Sequence, residues 1–171
     1  MENNRVRIAK ILREHGVKGE CKIQPLFGCA GSLRRGLKCH VENERGRELD
    51  GKIISQRETE KIFIVKLDFF SSPEEVAAWR GAVLSIDKDL RKRPESGFLF
   101  DDEWMGMTIV NEAGVLIGEV KNVVYLPLRQ WVVQRPGGGE VLIPVVAEWI
   151  LKLETSLRRV TINSPDGLLE L

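Results

Sequence analysis

Two histidines and three cysteines bound the chemistry that this 171-residue chain can offer. A nucleophilic hydrolase needs a histidine base within reach of a serine or cysteine. His15 stands in a glycine-rich turn, and no serine or cysteine beside it is marked as a nucleophile. Cys39-His40, with Cys29 ten residues earlier, offers residue types that zinc takes. Finger-like spacing of four ligands is missing, and Cys21 and Cys39 fall at apolar positions. An odd number of cysteines without a CxxC pair argues against a disulfide scaffold, so buried thiols are expected. Gly137-Gly138-Gly139 lacks the Lys-Ser/Thr of a phosphate loop and reads as a hairpin turn. Glu74-Glu75 falls in the first turn of a helix, where the macrodipole favours acids. Asp101-Asp102-Glu103 either meets a basic partner or faces water. No catalytic residue, no metal and no cofactor are expected.

The stretch best shaped for recognition is His15-Gly16-Val17-Lys18-Gly19-Glu20. Its two glycines accept positive φ without steric cost, so a tight turn between two strands is expected. Val6 and Ile8 alternate with Arg7 and Ala9 before the turn, and Cys21 and Ile23 alternate with Lys22 and Gln24 after it. The turn is either purely structural, or it holds His15, Lys18 and Glu20 on a rigid loop for a partner to meet.

The elements that must carry this turn follow in order. Pro25 stops the second strand, and Phe27 to Gly36 reads as a loop with Arg34 and Arg35 exposed. Strands follow at Leu37 to Val41, around Ile53 and Ile54, and over Ile62 to Leu67. Ser72-Pro73-Glu74-Glu75 then opens a short helix with a capping box, and Gly81 ends it. Val83 to Ile86 closes what reads as a small barrel without exposed edges. Residues 91–97 are charged, nearly free of apolar side chains, and end in Pro, Ser and Gly, so they read as a linker. The basic triplet Arg91-Lys92-Arg93 either contacts RNA phosphate or is a solvated tether. A second all-β unit spans 98–171. It has a long strand broken at Gly118, where a bulge or a close backbone contact is expected. Pro165 to Leu169 is expected to turn back onto that unit.

Composition places this architecture among globular proteins, at 43% hydrophobic and 30% charged. No run approaches the ~18 apolar residues of a membrane helix. The N-terminus has no apolar core of a signal peptide, and a cytoplasmic protein without a membrane partner is expected. Net charge is +1. Residues 1–90 carry 17 Lys and Arg against 14 Asp and Glu, and residues 91–171 carry 9 against 11. That split is compatible with one half touching RNA and the other a basic protein.

Around the glycine turn the chain resembles the RimM family of bacterial small-subunit ribosome maturation factors. Val6-Arg7-Ile8-Ala9-Lys10-Ile11 and Lys22-Ile23-Gln24-Pro25-Leu26 are similar to its first two strands, and Pro73 to Gly81 to its helix. Gly114-Val115-Leu116-Ile117-Gly118-Glu119-Val120, Glu140-Val141-Leu142-Ile143-Pro144 and Pro165-Asp166-Gly167-Leu168-Leu169-Glu170-Leu171 resemble its second domain and ending. The chain departs from the family where two aromatics usually precede a tryptophan: here Leu99-Phe100-Asp101-Asp102-Glu103-Trp104-Met105-Gly106 keeps Phe100, Glu103 and Gly106. The family's Asn-Asp before the middle strand is replaced near Leu128-Arg129.

The resemblance implies a mainly β protein. A translation-protein-like barrel over 1–90 and a PRC-type barrel over 98–171 would be joined by the charged linker. It implies a non-catalytic, monomeric factor that assists assembly of the 30S head and processing of 16S rRNA. The second barrel would grip the nineteenth small-subunit ribosomal protein, a basic protein, while the first faces ribosomal RNA in the 30S precursor. Aromatics dominate interface hot spots, so Phe100, Trp104 and Trp131 are the candidate anchors, with Leu99 and Glu103 beside them; either tryptophan could equally be core. His15, Lys18, Arg34 and Arg35 are the candidates for the RNA side, acting on phosphate. The alternative is an RNA-binding barrel with no dedicated protein partner.

Overall fold

The structure is a computed structural model and describes residues 4–60, 62–94 and 98–163. The chain divides into two compact units, Met1–Phe98 and Leu99–Leu171.

In the first unit, β1 (Arg5–His15), β2 (Glu20–Pro25), β3 (Lys38–Glu42), β4 (Glu48–Glu58), β5 (Phe63–Leu67) and β6 (Val83–Asp87) form a closed barrel. Their order is β1-β2-β5-β4-β3-β6, and β6 pairs back onto β1. Alternation places Ile23, Val41, Val65, Leu67, Leu84 and Ile86 inside. On β1 the strict alternation fails, because Ile8 and Ala9 are both buried. The register with β6 shifts between Arg7 and Ala9, and this irregularity turns two successive residues inward. The helix α1 (Pro73–Ala77) starts as its sequence predicts. The Ser72 hydroxyl accepts the Glu75 amide at 3.3 Å, and the Glu75 carboxylate accepts the Ser72 amide at 3.3 Å. Val76 and Trp79 face the barrel.

Residues 91–94 of the expected linker stay close to this unit. The Lys92 amide donates to the Ser32 hydroxyl at 2.9 Å, and the Arg34 guanidinium donates to the Leu90 carbonyl at 3.2 Å. Residues 95–97, and the turn expected over 165–169, lie outside the described residues.

The second unit opens with a one-turn helix, α2 (Asp101–Trp104), which the sequence does not announce. Strands β7 (Thr108–Asn111), β8 (Leu116–Tyr125), β9 (Arg129–Gln134), β10 (Glu140–Pro144), β11 (Ile150–Glu154) and β12 (Arg159–Ile162) follow. Their order is β10-β9-β8-β7-β12-β11, antiparallel except where β12 lies parallel to β7. Gly118 carries both features expected of it. The β7–β8 register shifts beside it, and a Cβ there would collide with the Gln134 carbonyl oxygen. The core gathers Trp104, Met107, Ile109, Val120, Trp131 and Val133. Among the described residues no helix is long and apolar enough to cross a membrane.

The three cysteines are buried and unbridged. Burial pushes the thiols of Cys21 and Cys39 up to about 12, so neither is a ready thiolate.

Candidate functional site

The turn between β1 and β2 is held by three contacts. Gly16 and Gly19 sit at φ +63° and +72°. At Gly19 a Cβ would stand 2.7 Å from the Phe70 carbonyl oxygen and 2.9 Å from the Ser71 carbonyl carbon. The loop that leads into α1 therefore lies directly against the turn, and only glycine fits between two backbones so close. On one flank Arg57 grips Glu20 through two hydrogen bonds of 2.7 and 3.2 Å. On the other, Arg80 reaches Glu14, with its Nε 2.9 Å from the carboxylate. These guanidinium hydrogen bonds hold the carboxyls of Glu14 and Glu20 below the usual range for glutamate. Arg57 and Arg80 are thereby committed to bracing, while Val17, 81% exposed, and Lys18 project into solvent. His15 is half-buried and pairs in register with Glu20.

Gly19→Ala is expected to cost about 2 kcal/mol, from the left-handed backbone and the imposed contact together. The melting temperature of the first unit should then fall by roughly 10 °C, read by scanning calorimetry. An unchanged transition would mean that the turn floats free of Phe70.

Arg34 and Arg35 do not join this turn. Their loop follows Pro25, at the opposite end of β2 from Glu20. Arg34 is also half-buried rather than exposed, because its guanidinium ties the Ser32 and Leu90 carbonyls at 3.1 and 3.2 Å. Arg35 remains exposed.

In the second unit the expected anchors move indoors. Trp104 and Trp131 are 0% and 1% exposed and stack edge to face, with ring centroids 4.7 Å apart. Phe100 and Leu99 are buried too. Glu103 is half-buried, and its carboxylate caps α2 by accepting the Phe100 amide at 2.9 Å. A buried aromatic has no face to offer, so these side chains build the fold rather than meet a partner.

What they support is a different surface. Asp101, the first residue of α2, accepts two hydrogen bonds from Arg129, at 2.8 and 2.6 Å, and one from the Tyr125 hydroxyl at 2.8 Å. Arg129 also donates to the Leu99 carbonyl at 3.0 Å. Residues 126–128 form the β8–β9 connection, with a cis Leu126–Pro127 bond, and expose Leu126 and Leu128 by about two-thirds. An apolar tip thus stands beside the acidic start of α2.

A model of the RimM N-terminal domain matches residues 6–91, and a model of the RimM PRC barrel domain matches residues 101–168. The chain belongs to the RimM family. The ribosome maturation factor RimM of Bacillus cereus (strain ZK / E33L) is 28% identical over 165 residues, 95% of this chain and 96% of its own length. The same figures hold for the ribosome maturation factor RimM of Bacillus thuringiensis (strain Al Hakam). A solved structure from Pseudomonas aeruginosa, described as a 16S ribosomal RNA processing protein RimM, shares 18% identity with a TM-score of 0.43. That match covers 94% of this chain and 98% of the other. The start of α2 and the start of β9 meet in space, because Asp101 is the ion partner of Arg129.

Proposed function

We propose that this RimM-family chain is a ribosome maturation factor. It assists assembly of the 30S head and processing of 16S rRNA in the cytoplasm, by binding and not by catalysis. The reading rests above all on the match of both RimM domain models along one chain. The first unit meets precursor rRNA through the braced turn, where Lys18 presents its charge to phosphate on a loop that needs little further ordering. The second unit grips the nineteenth small-subunit ribosomal protein, a basic partner, through Leu126 and Leu128 at the β8–β9 tip. The exposed Asp102, in the first turn of α2 beside that tip, supplies the complementary charge. A factor of this kind shifts an assembling particle toward the state it binds best. It acts as a monomer whose two units, linked through residues 91–97, hold RNA and protein together.

The test uses the full chain with two separate partners: precursor 30S particles and the purified ribosomal protein. Lys18→Glu is expected to weaken particle binding and to lower the slope of log K against log salt by about 1, leaving protein binding intact. Leu126→Ser with Leu128→Ser is expected to weaken protein binding by about tenfold or more, with melting unchanged because both side chains are exposed. Unchanged particle binding with Lys18→Glu would remove the turn from the RNA contact. If the wild-type chain retains no ribosomal protein after nuclease treatment, the alternative holds: an RNA-binding barrel with no dedicated protein partner.

A further inference from the structure

The outer face of the β3–β4 hairpin carries a group that the ribosomal role does not use. His40 and Glu42 on β3 stand two residues apart, so both project from the same side of the strand. Glu48 and Asp50 on β4 do the same, and the register pairs His40 with Asp50 and Glu42 with Glu48. Four potential ligands therefore form a two-by-two array beside the turn at 43–47.

Two features of the array are costly for a face that only meets water. First, Glu42 and Glu48 are directly opposed, an arrangement of like charges that destabilises a strand pair. Among the described residues Glu42 makes no ion pair, and the Arg5 guanidinium meets the array at Asp50, at 3.5 Å, on the far side from the Glu42–Glu48 pair. Second, His40 is only 7% exposed and its ring is fixed. Nδ1 lies 2.9 Å from the Asp50 carboxylate, and Nε2 is turned toward Glu48 at 3.8 Å without a hydrogen bond. A carboxylate on one imidazole nitrogen sets the tautomer that leaves the other nitrogen's lone pair available, which is the usual second-layer support of a metal-bound histidine.

We propose that His40, Glu42 and Glu48 bind a divalent transition-metal cation of the Zn²⁺ class, with Asp50 orienting the imidazole. One nitrogen and two carboxylates suit Zn²⁺ better than Mg²⁺, which takes oxygen ligands and keeps its water. One ligand atom from each residue lies within 4.8 Å of the others. Tetrahedral zinc at its ordinary bond lengths needs them about 3.4 Å apart. Both glutamates are exposed and can turn by that amount, and the remaining position is open to water. This departs from the sequence expectation of no metal, which was drawn from the cysteines. Strand alternation separates Cys39, facing the barrel core, from His40, facing out, so the thiol plays no part.

The experiment is calorimetric titration of the full chain with ZnCl₂ and, separately, MgCl₂, in a buffer that does not chelate. The wild type should bind one Zn²⁺ per chain and bind Mg²⁺ far more weakly. Glu48→Gln should weaken Zn²⁺ binding at least tenfold, and Asp50→Asn by about tenfold, the usual effect of losing an orienting carboxylate. Zn²⁺ should also raise the melting temperature of the first unit in the wild type but not in Glu48→Gln. Glu48 is exposed, so its replacement leaves the fold in place. Absence of Zn²⁺ binding, equal binding in wild type and both variants, or equal affinity for Mg²⁺ would each overturn the proposal. None of these results depends on ribosome binding.

Discussion

Trp131→Ala is expected to take much of the second unit's stability rather than to weaken a complex. Truncating a buried tryptophan costs about 3–5 kcal/mol, and a whole domain has about 5–15 kcal/mol to lose. Trp131 is 1% exposed and packs edge to face on Trp104, so its removal also strips that ring of its partner. Among the described residues neither indole N–H has a hydrogen-bond partner, so the pair contributes there through volume and ring contact. Trp131→Phe should therefore be much milder, since it deletes an unpaired N–H while keeping an aromatic ring. Urea unfolding followed by tryptophan fluorescence and by near-ultraviolet circular dichroism would compare the two variants. If Trp131→Ala keeps the wild-type transition and loses only partner binding, the indole is not core in the working protein.

The second large effect is expected at Asp101. Its ion partner Arg129 has only 8% of its side chain exposed, so Asp101→Ala takes a carboxylate that accepts two hydrogen bonds away from a buried guanidinium. Breaking one side of such a pair costs about 3–5 kcal/mol, whereas replacing both sides with apolar residues is often close to neutral. Asp101→Leu combined with Arg129→Met should thus recover most of the loss, as seen in the urea midpoint. A loss below about 1 kcal/mol in Asp101→Ala would be the behaviour of a solvated surface pair and would contradict the burial.

Much of the fold is readable where side-chain type and spacing carry the signal. The capping box at Ser72 and Glu75 is local chemistry, and the structure forms it as the sequence predicts. The alternation around Cys21 and Ile23 likewise sets which side of β2 is buried. Reading fails where the signal is not local. β4 begins at Glu48, five residues ahead of the Ile53-Ile54 pair that marks the strand in the sequence, and an inward position between them is Gly51, which has no side chain to mark it. Trp104 and Trp131 have the composition of a hot spot and the position of a core, and residue type alone does not separate the two. The pairing of Asp101 with Arg129 spans 28 residues and follows from the packing of α2 on β8 and β9. The array at His40 was half legible. His-x-Glu before the turn mirrors Glu-x-Asp after it, but the mirror has meaning only once the turn length fixes the register.

The parallel contact between β7 and β12 also sets an order of events during synthesis. The first barrel has all six of its strands once Asp87 has left the ribosome, so it can close while the rest of the chain is still being made. The second sheet cannot do this. Its interior place between β7 and β11 is filled by Arg159–Ile162, which follow the other five strands in chain order. Until those residues emerge, β7 has an unpaired edge and the tryptophan core has no lid along that side. A nascent or truncated chain that stops short of Arg159 would therefore carry a finished first barrel and an open, adhesive second half, a natural target for holding chaperones and proteases.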